Sequence, residues 1–260
     1  MDGAEWIVFL LSGYWAGRFL WKWYLALWES WPKERAKFAR AVLAWLPAAA
    51  LAVIASVLTA LASFDVVGDF AYILLYIALG FAWIAVGMRL FSHCLDLSWR
   101  DDALERGNRA ALFSVSGGFL GLALIYAGAN VGDGPGWWCV LFAGGLGLAA
   151  YLLLLTLVGL LSNMSERLTV DRDVPAGIRF GCFLIASALL LARASAGDWT
   201  SFSATVVEFL DGWPVLPLCA LAVAVERYYL SREGSAPSAA FWGTLYVALA
   251  VLGILLLPPL

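Results

Sequence analysis

Residues 70–129 read FAYILLYIALGFAWIAVGMRLF, then SHCLDLSWRDDALERGNR, then AALFSVSGGFLGLALIYAGA. An α-helix rises 1.5 Å per residue, so about 20 apolar residues cross a hydrocarbon core about 30 Å thick. Both flanking runs reach that length and the middle is charged, so the stretch predicts a helical hairpin that enters and leaves a bilayer. The same form occurs four times along the chain. The apolar runs are Trp6 to Leu27, Ala41 to Ser63, Phe70 to Phe91, Ala110 to Ala129, Trp137 to Leu161, Ala176 to Ala194, Gly212 to Val225 and Ala239 to Leu260. The composition agrees: 63% of residues are hydrophobic and the mean hydropathy is +0.86, well above the roughly half-apolar usage of soluble domains. The expected fold is all-α: a polytopic transmembrane bundle of about eight spans in four helical-hairpin repeats. Residues 1–260 form a single membrane domain in the lipid bilayer, with no stretch left over for a soluble one. Spans 1, 6 and 7 depart from the pattern, through Arg18, through Arg179 and Arg193, and through Pro214 and Pro217.

Lys and Arg are retained in cytoplasmic loops and so give the orientation. Lys22, Lys33, Arg35, Lys37 and Arg40 lie between spans 1 and 2, and Arg89, Arg100, Arg106 and Arg109 between spans 3 and 4. Arg167, Arg172 and, one turn into span 6, Arg179 belong to the turn between 5 and 6, and Arg227 and Arg232 lie between 7 and 8. These fourteen of the sixteen basic residues share one side, taken as cytoplasmic, which leaves both termini outside. The other side carries Asp2, Glu5, Asp65, Asp69, Asp133, Asp198, Glu208 and Asp211, with Arg193 as its base. The formal net charge of -3 thus conceals a polarity between faces and gives no reason to expect nucleic acid as a partner. The first run lacks a basic leader and a small-residue cleavage site, so it reads as a retained helix.

Each even-numbered span begins with a cap. Ser30-Trp31-Pro32, Asp173-Val174-Pro175 and Ser235-Ala236-Pro237 share one form, and Asn108-Arg109-Ala110 has Ala in place of Pro. Ser, Asp and Asn accept from the free N–H groups of a first helical turn, where proline is tolerated because those groups have no helical partner. Ser30, Asn108, Asp173 and Ser235 are therefore the candidate caps. Gly117 and Gly121, and likewise Gly177 and Gly181, have GxxxG spacing, which lets helix backbones approach closely in lipid. Such pairs serve either packing within one chain or a homo-oligomer.

The segment from Glu105 through Gly107-Asn108 to Ala111, with the glycine-rich helix after it, resembles the first signature of the YjfL-type bacterial inner-membrane family, a domain of unknown function. Asp173-Val174-Pro175-Ala176-Gly177-Ile178, leading through Gly181, resembles the second; this chain has Arg172-Asp173 where the family pattern favours Gly-Asn. The resemblance covers about residues 66–199. It implies paired hairpins in the bacterial cell inner membrane and envelope-stress or phage-shock-type partners, with no established activity.

The residues offer little chemistry. His93 is the single histidine, so polyhistidine metal sites are excluded, as is any Ser/His/Asp relay built on another base. His93, Cys94 and Asp96 are too few and too close together to enclose a metal. There is no GxxxxGK[ST] and no HExxH, and Gly144-Gly145-Leu146-Gly147 reads as helix packing. Cys94, Cys139, Cys182 and Cys219 have no paired spacing, as expected of small apolar packing residues. The expectation is a non-enzyme without catalytic residues, cofactor or metal.

Ionisable residues at membrane depth are the functional suspects. Arg18 and Lys22 lie one turn apart and can snorkel toward the cytoplasmic interface. Arg193, Glu208 and Asp211 flank the proline-broken span 7 and are the candidate lining of a polar cavity, since broken helices often border one. Two roles follow. A membrane scaffold or accessory subunit would hold a cytoplasmic protein through Lys33, Arg35 and Lys37. The alternative is a channel or transporter for ions or small solutes that gathers cations at its acidic outer face.

Overall fold

The computed structural model describes residues 1–30, 36–229 and 236–257, and no strand occurs among them. The helices are α1 (Gly3–Glu29), α2 (Lys37–Ala60), α3 (Phe70–Leu95), α4 (Arg109–Gly128), α5 (Trp137–Leu161), α6 (Met164–Thr169), α7 (Val174–Ala194), α8 (Phe202–Phe209), α9 (Val215–Ala224) and α10 (Ala236–Leu256). Two π-helical turns, Trp99–Glu105 and Val225–Tyr229, precede α4 and follow α9.

Six helices, α2, α3, α4, α5, α7 and α10, are long and apolar enough to cross a membrane. A seventh path exists if the pair Phe202–Gly212 and Val215–Arg227, bent by 40°, counts as one broken span. The eighth run, α1, is 27 residues long but carries Glu5, Arg18, Lys22 and Glu29, which set it apart from the others. The break in span 7 falls at Trp213 and Pro214, because proline cannot continue a helical hydrogen-bond ladder from before it.

Side chains start the helices as their chemistry predicts. Asp2 and Glu5 form a reciprocal capping box on α1, with Glu5 N donating to Asp2 at 2.8 Å and Asp2 N to Glu5 at 2.6 Å. Asp69 caps α3, Asn108 caps α4 and Asp173 caps α7, the last accepting from Ala176 N at 3.0 Å. Ser30 departs from its expected role. It closes α1, its hydroxyl donating to the Leu27 carbonyl at 2.8 Å, while α2 starts at Lys37 behind Ala36. A serine hydroxyl serves an orphan carbonyl at a helix end as readily as an amide at a helix start. The expected cap Ser235 and the basic residues Lys33 and Arg35 lie outside the described residues.

Helices α4 and α7 form the centre. Within their spans 78% and 67% of the residues are buried, against 22–39% in α2, α3, α5 and α10, so the outer helices face lipid. The α4–α7 seam runs parallel and brings the two backbones together at small residues. A Cβ on Gly177 would lie 2.5 Å from the Ala110 carbonyl oxygen, and one on Gly181 the same distance from that of Phe113. Gly117 faces Gly181, and Gly128 faces Ala192, equally closely. Gly121 instead makes room for the Tyr151 hydroxyl of α5 and for Ala188. The four glycines read from the sequence thus sit where backbones or rings meet within one chain.

Around this seam the other helices are keyed by aromatics. Trp23 of α1 is fully buried, its indole N–H donating to the Leu43 carbonyl of α2 at 3.0 Å. Trp99 stacks on it with ring centroids 4.0 Å apart. Tyr126 of α4 donates to the Tyr76 carbonyl of α3 at 2.7 Å.

Candidate functional site

Each end of the bundle carries a polar recess, and the two differ in construction. At the end that holds the amino terminus, three loops are strung together. Gly132 N donates to the Leu61 carbonyl at 3.1 Å, Gly197 N to that of Val131 at 3.0 Å, and Trp199 N to that of Asp133 at 2.7 Å. Carboxylates complete the chain: Asp133 accepts from Phe64 N at 3.2 Å, and Asp198 from Asp133 N at 2.8 Å. The recess they enclose is about 50 Å³, room for only one or two waters, with Asp133, Asp198 and Glu208 at its lining.

Of the three residues expected to line a cavity there, Glu208 does so, on exposed helix α8. Arg193 is half-buried in the last turn of α7, where a cation complements the helix dipole. Asp211 is exposed on the short turn between α8 and α9. Neither borders the recess. Among the described residues no three His, Cys, Asp or Glu side chains are grouped to hold a metal ion.

A signal for this end was present in the sequence but unread. Gly68-Asp69, Gly132-Asp133 and Gly197-Asp198 are the same dipeptide at near-equal intervals, and each glycine has positive φ, +90°, +102° and +141°. An L-residue with a Cβ resists that backbone. A parallel relation holds at the opposite end, where Gly107 before Asn108 has φ 60° and Arg172 before Asp173 has φ 54°. The chain therefore keeps the left-handed turn before the α7 cap although an arginine occupies it.

The opposite end holds a buried ion network. Arg179 has no exposed side-chain surface, and its Nε and Nη2 donate to the two oxygens of Glu226 at 2.5 and 2.8 Å. Arg167 donates to the same carboxylate at 2.6 Å and to Asp173 at 2.7 Å. Burial alone would lower the Arg167 pKa, but Glu226 and Asp173 outweigh it and raise the value above that of a free guanidinium. Arg179 Nη1 is buried with no partner among the described residues. The cap residue Asp173 is thereby part of the network, and Asn108 is tied alongside, its amide donating to the Leu168 carbonyl at 2.6 Å.

The network corrects one expectation. Arg179, counted with the basic side and expected one turn into its span, is a buried residue whose charge Glu226 neutralises, so it carries no orientation signal. Glu226 was missed because, next to Arg227 at the end of an apolar run, it reads as one more surface acid. The network floors an open recess of about 1030 Å³ that also includes Glu166, Asp171, Arg172 and Arg227. Its mixture of four acids and three bases binds neither sign of charge exclusively.

Geometry first defines a class: a multi-pass, membrane-embedded helical protein with charged ends and a close-packed apolar centre. Within that class, the chain belongs to the family described as Domain of Unknown Function (DUF350), whose model matches residues 62–195, just over half of its length. The match runs from the loop before α3 to the end of α7 and so includes the whole seam. No curated protein and no solved structure matches the chain.

Proposed function

We propose that the chain is a scaffold or accessory subunit of the bacterial inner membrane, with the charged recess on the cytoplasmic side seating a soluble protein. In this reading α1 also crosses, giving eight passages with both termini outside, and Arg18 and Lys22 reach for the cytoplasmic interface. The Gly-Asp dipeptides and the two capped turns support an origin by hairpin duplication. The resemblance to the YjfL-type family supports an envelope-stress role.

One observation carries the reading. The two recesses lie at opposite ends, and between them α4 meets α7 backbone to backbone, while Phe180, Phe183, Leu184 and Leu190 of α7 are buried as well. A solid, ion-clamped bundle suits holding a partner better than passing a solute. Photocrosslinkers placed at Glu166 and Arg172 should trap a soluble protein in cells, and crosslinkers at Asp65 should not. Replacing Lys33, Arg35 and Lys37 with Gln should weaken the capture. Purified protein in liposomes should pass no more cation than protein-free vesicles.

A conduit remains the second reading, on a separate observation. Ser187 Oγ, Ser195 Oγ, Tyr151 Oη and Tyr246 Oη are buried without partners among the described residues, in addition to Arg179 Nη1. Buried polar groups of this kind commonly take ordered water. Cation flux in liposomes that falls on Glu208→Gln with Asp211→Asn would replace the scaffold by the conduit.

A further inference from the structure

A third recess lies on the lipid-facing side. α3 supplies most of its wall, through Ala82, Trp83, Val86 and Arg89, with α1 on one flank and Leu141 and Leu148 of α5 on the other. It measures about 590 Å³, within the range of about 300–1,000 Å³ typical of ligand pockets. Its charge is one-sided. Arg18, Lys22 and Arg89 line it, and none of the fifteen lining residues is acidic.

Position along the helices separates its charged part from its apolar part. Lys22 is seven residues from the end of α1 and Arg89 six from the end of α3, about 10 Å each at helical rise. Arg18 is one turn deeper. Leu141 and Leu148 belong to the first half of α5, which starts from the opposite end of the bundle. The recess is therefore cationic near the basic end and apolar beyond it. Lys22 and Arg89 have no carboxylate partner among the described residues, and Arg18 makes only a 3.4 Å contact to the Tyr14 hydroxyl. Unpaired cations at this depth are costly unless an anion meets them.

We infer that this groove binds an anionic diacyl phospholipid of the leaflet at the basic end, its phosphate between Arg18, Lys22 and Arg89 and its chains along Trp83, Leu141 and Leu148. Charge complementarity selects the occupant, because a zwitterionic lipid would bring its own cation to a site that already holds three. The inference rests on membrane embedding alone and holds whether the chain is a scaffold or a conduit.

The test compares lipids that differ only in headgroup. Protein is reconstituted with equal parts of phosphatidylglycerol and phosphatidylcholine of the same chains, and retained lipids are counted by native mass spectrometry. Wild type should retain phosphatidylglycerol preferentially. Each cation near an anionic headgroup contributes about fivefold, so Arg18→Gln with Lys22→Gln and Arg89→Gln should reduce the preference on the order of a hundredfold. A matched triple, Arg106→Gln, Arg109→Gln and Arg172→Gln, removes as much charge from the same end outside the groove and should retain the preference. All six residues are exposed, so gel filtration should show both triples folded. Equal retention of the two lipids by wild type, or equal loss in the two triples, would overturn the inference. So would a dimer free of lipid, because a second copy would then cover the face.

Discussion

Truncating Glu226 to Ala should strongly destabilise the protein, and the network explains by how much. The carboxylate is 3% exposed and accepts from Arg179, which is fully buried, and from Arg167. Its removal leaves Arg167 with Asp173, but Arg179 with no counter-charge. Breaking a buried pair in this way costs about 3–5 kcal/mol, because the desolvation of the remaining ion is no longer offset. At about 2–4 °C per kcal/mol for chains of roughly this size, the thermal midpoint in detergent should fall by about 10 °C. The reciprocal change distinguishes charge from packing. Glu226→Leu combined with Arg179→Met removes both ions and fills the space with apolar side chains, and apolar replacement of a buried pair is often neutral or stabilising. The double variant should therefore recover most of the loss. Thermal unfolding followed by fluorescence-detected gel filtration measures all three proteins. A Glu226→Ala variant as stable as wild type, or a double variant no better than the single, would refute the reasoning.

The seam offers a sharper packing test: Gly181→Ala places a Cβ 2.5 Å from a carbonyl oxygen and should cost about 1–3 kcal/mol. Gly145→Ala meets nothing within 4 Å and should be neutral in the same melt. Arg172→Gly removes a side chain from φ 54°; it should stabilise by up to about 1 kcal/mol, since the left-handed region costs an L-residue about 1–2 kcal/mol and glycine returns part of that as chain entropy. A cysteine at Asp133 should react with an impermeant reagent from outside intact cells, and one at Arg106 only after lysis. Outside labelling at Arg106 would sink the proposed topology.

The long helices were legible because burial in lipid demands one uninterrupted run. Trp137 to Leu161 matches α5 residue for residue, and Ala110 to Ala129 is displaced by one from α4. Caps were legible where chemistry is local, as with Asn108 and Asp173, and not at Ser30, whose hydroxyl serves either kind of helix end. Span 7 was only half visible. The bent helix pair at its place includes α8, whose mixed sequence from Phe202 hides a helix, and bends where prolines were expected to break it. The ion network was illegible for a different reason: Glu226 meets Arg179 and Arg167 across 47 and 59 residues of sequence, and no short-range pattern records such a partnership.

The parallel seam also bears on biogenesis. α4 and α7 are separated in the chain by α5 and α6, so α4 is released into the bilayer before its main partner has been synthesised. At about 5–20 residues per second, the interval from Gly128 to Ala194 takes on the order of 3–13 seconds. During that time the part of α4 that α7 will cover, around Gly117 and Gly128, waits for its partner, and any neighbouring helix with small residues can dock there first. Substitutions along Gly117, Gly177 and Gly181 are thus expected to lower the yield of correctly inserted protein as well as the melting point of the finished bundle, so that quality control during synthesis joins stability in setting which residues the seam accepts.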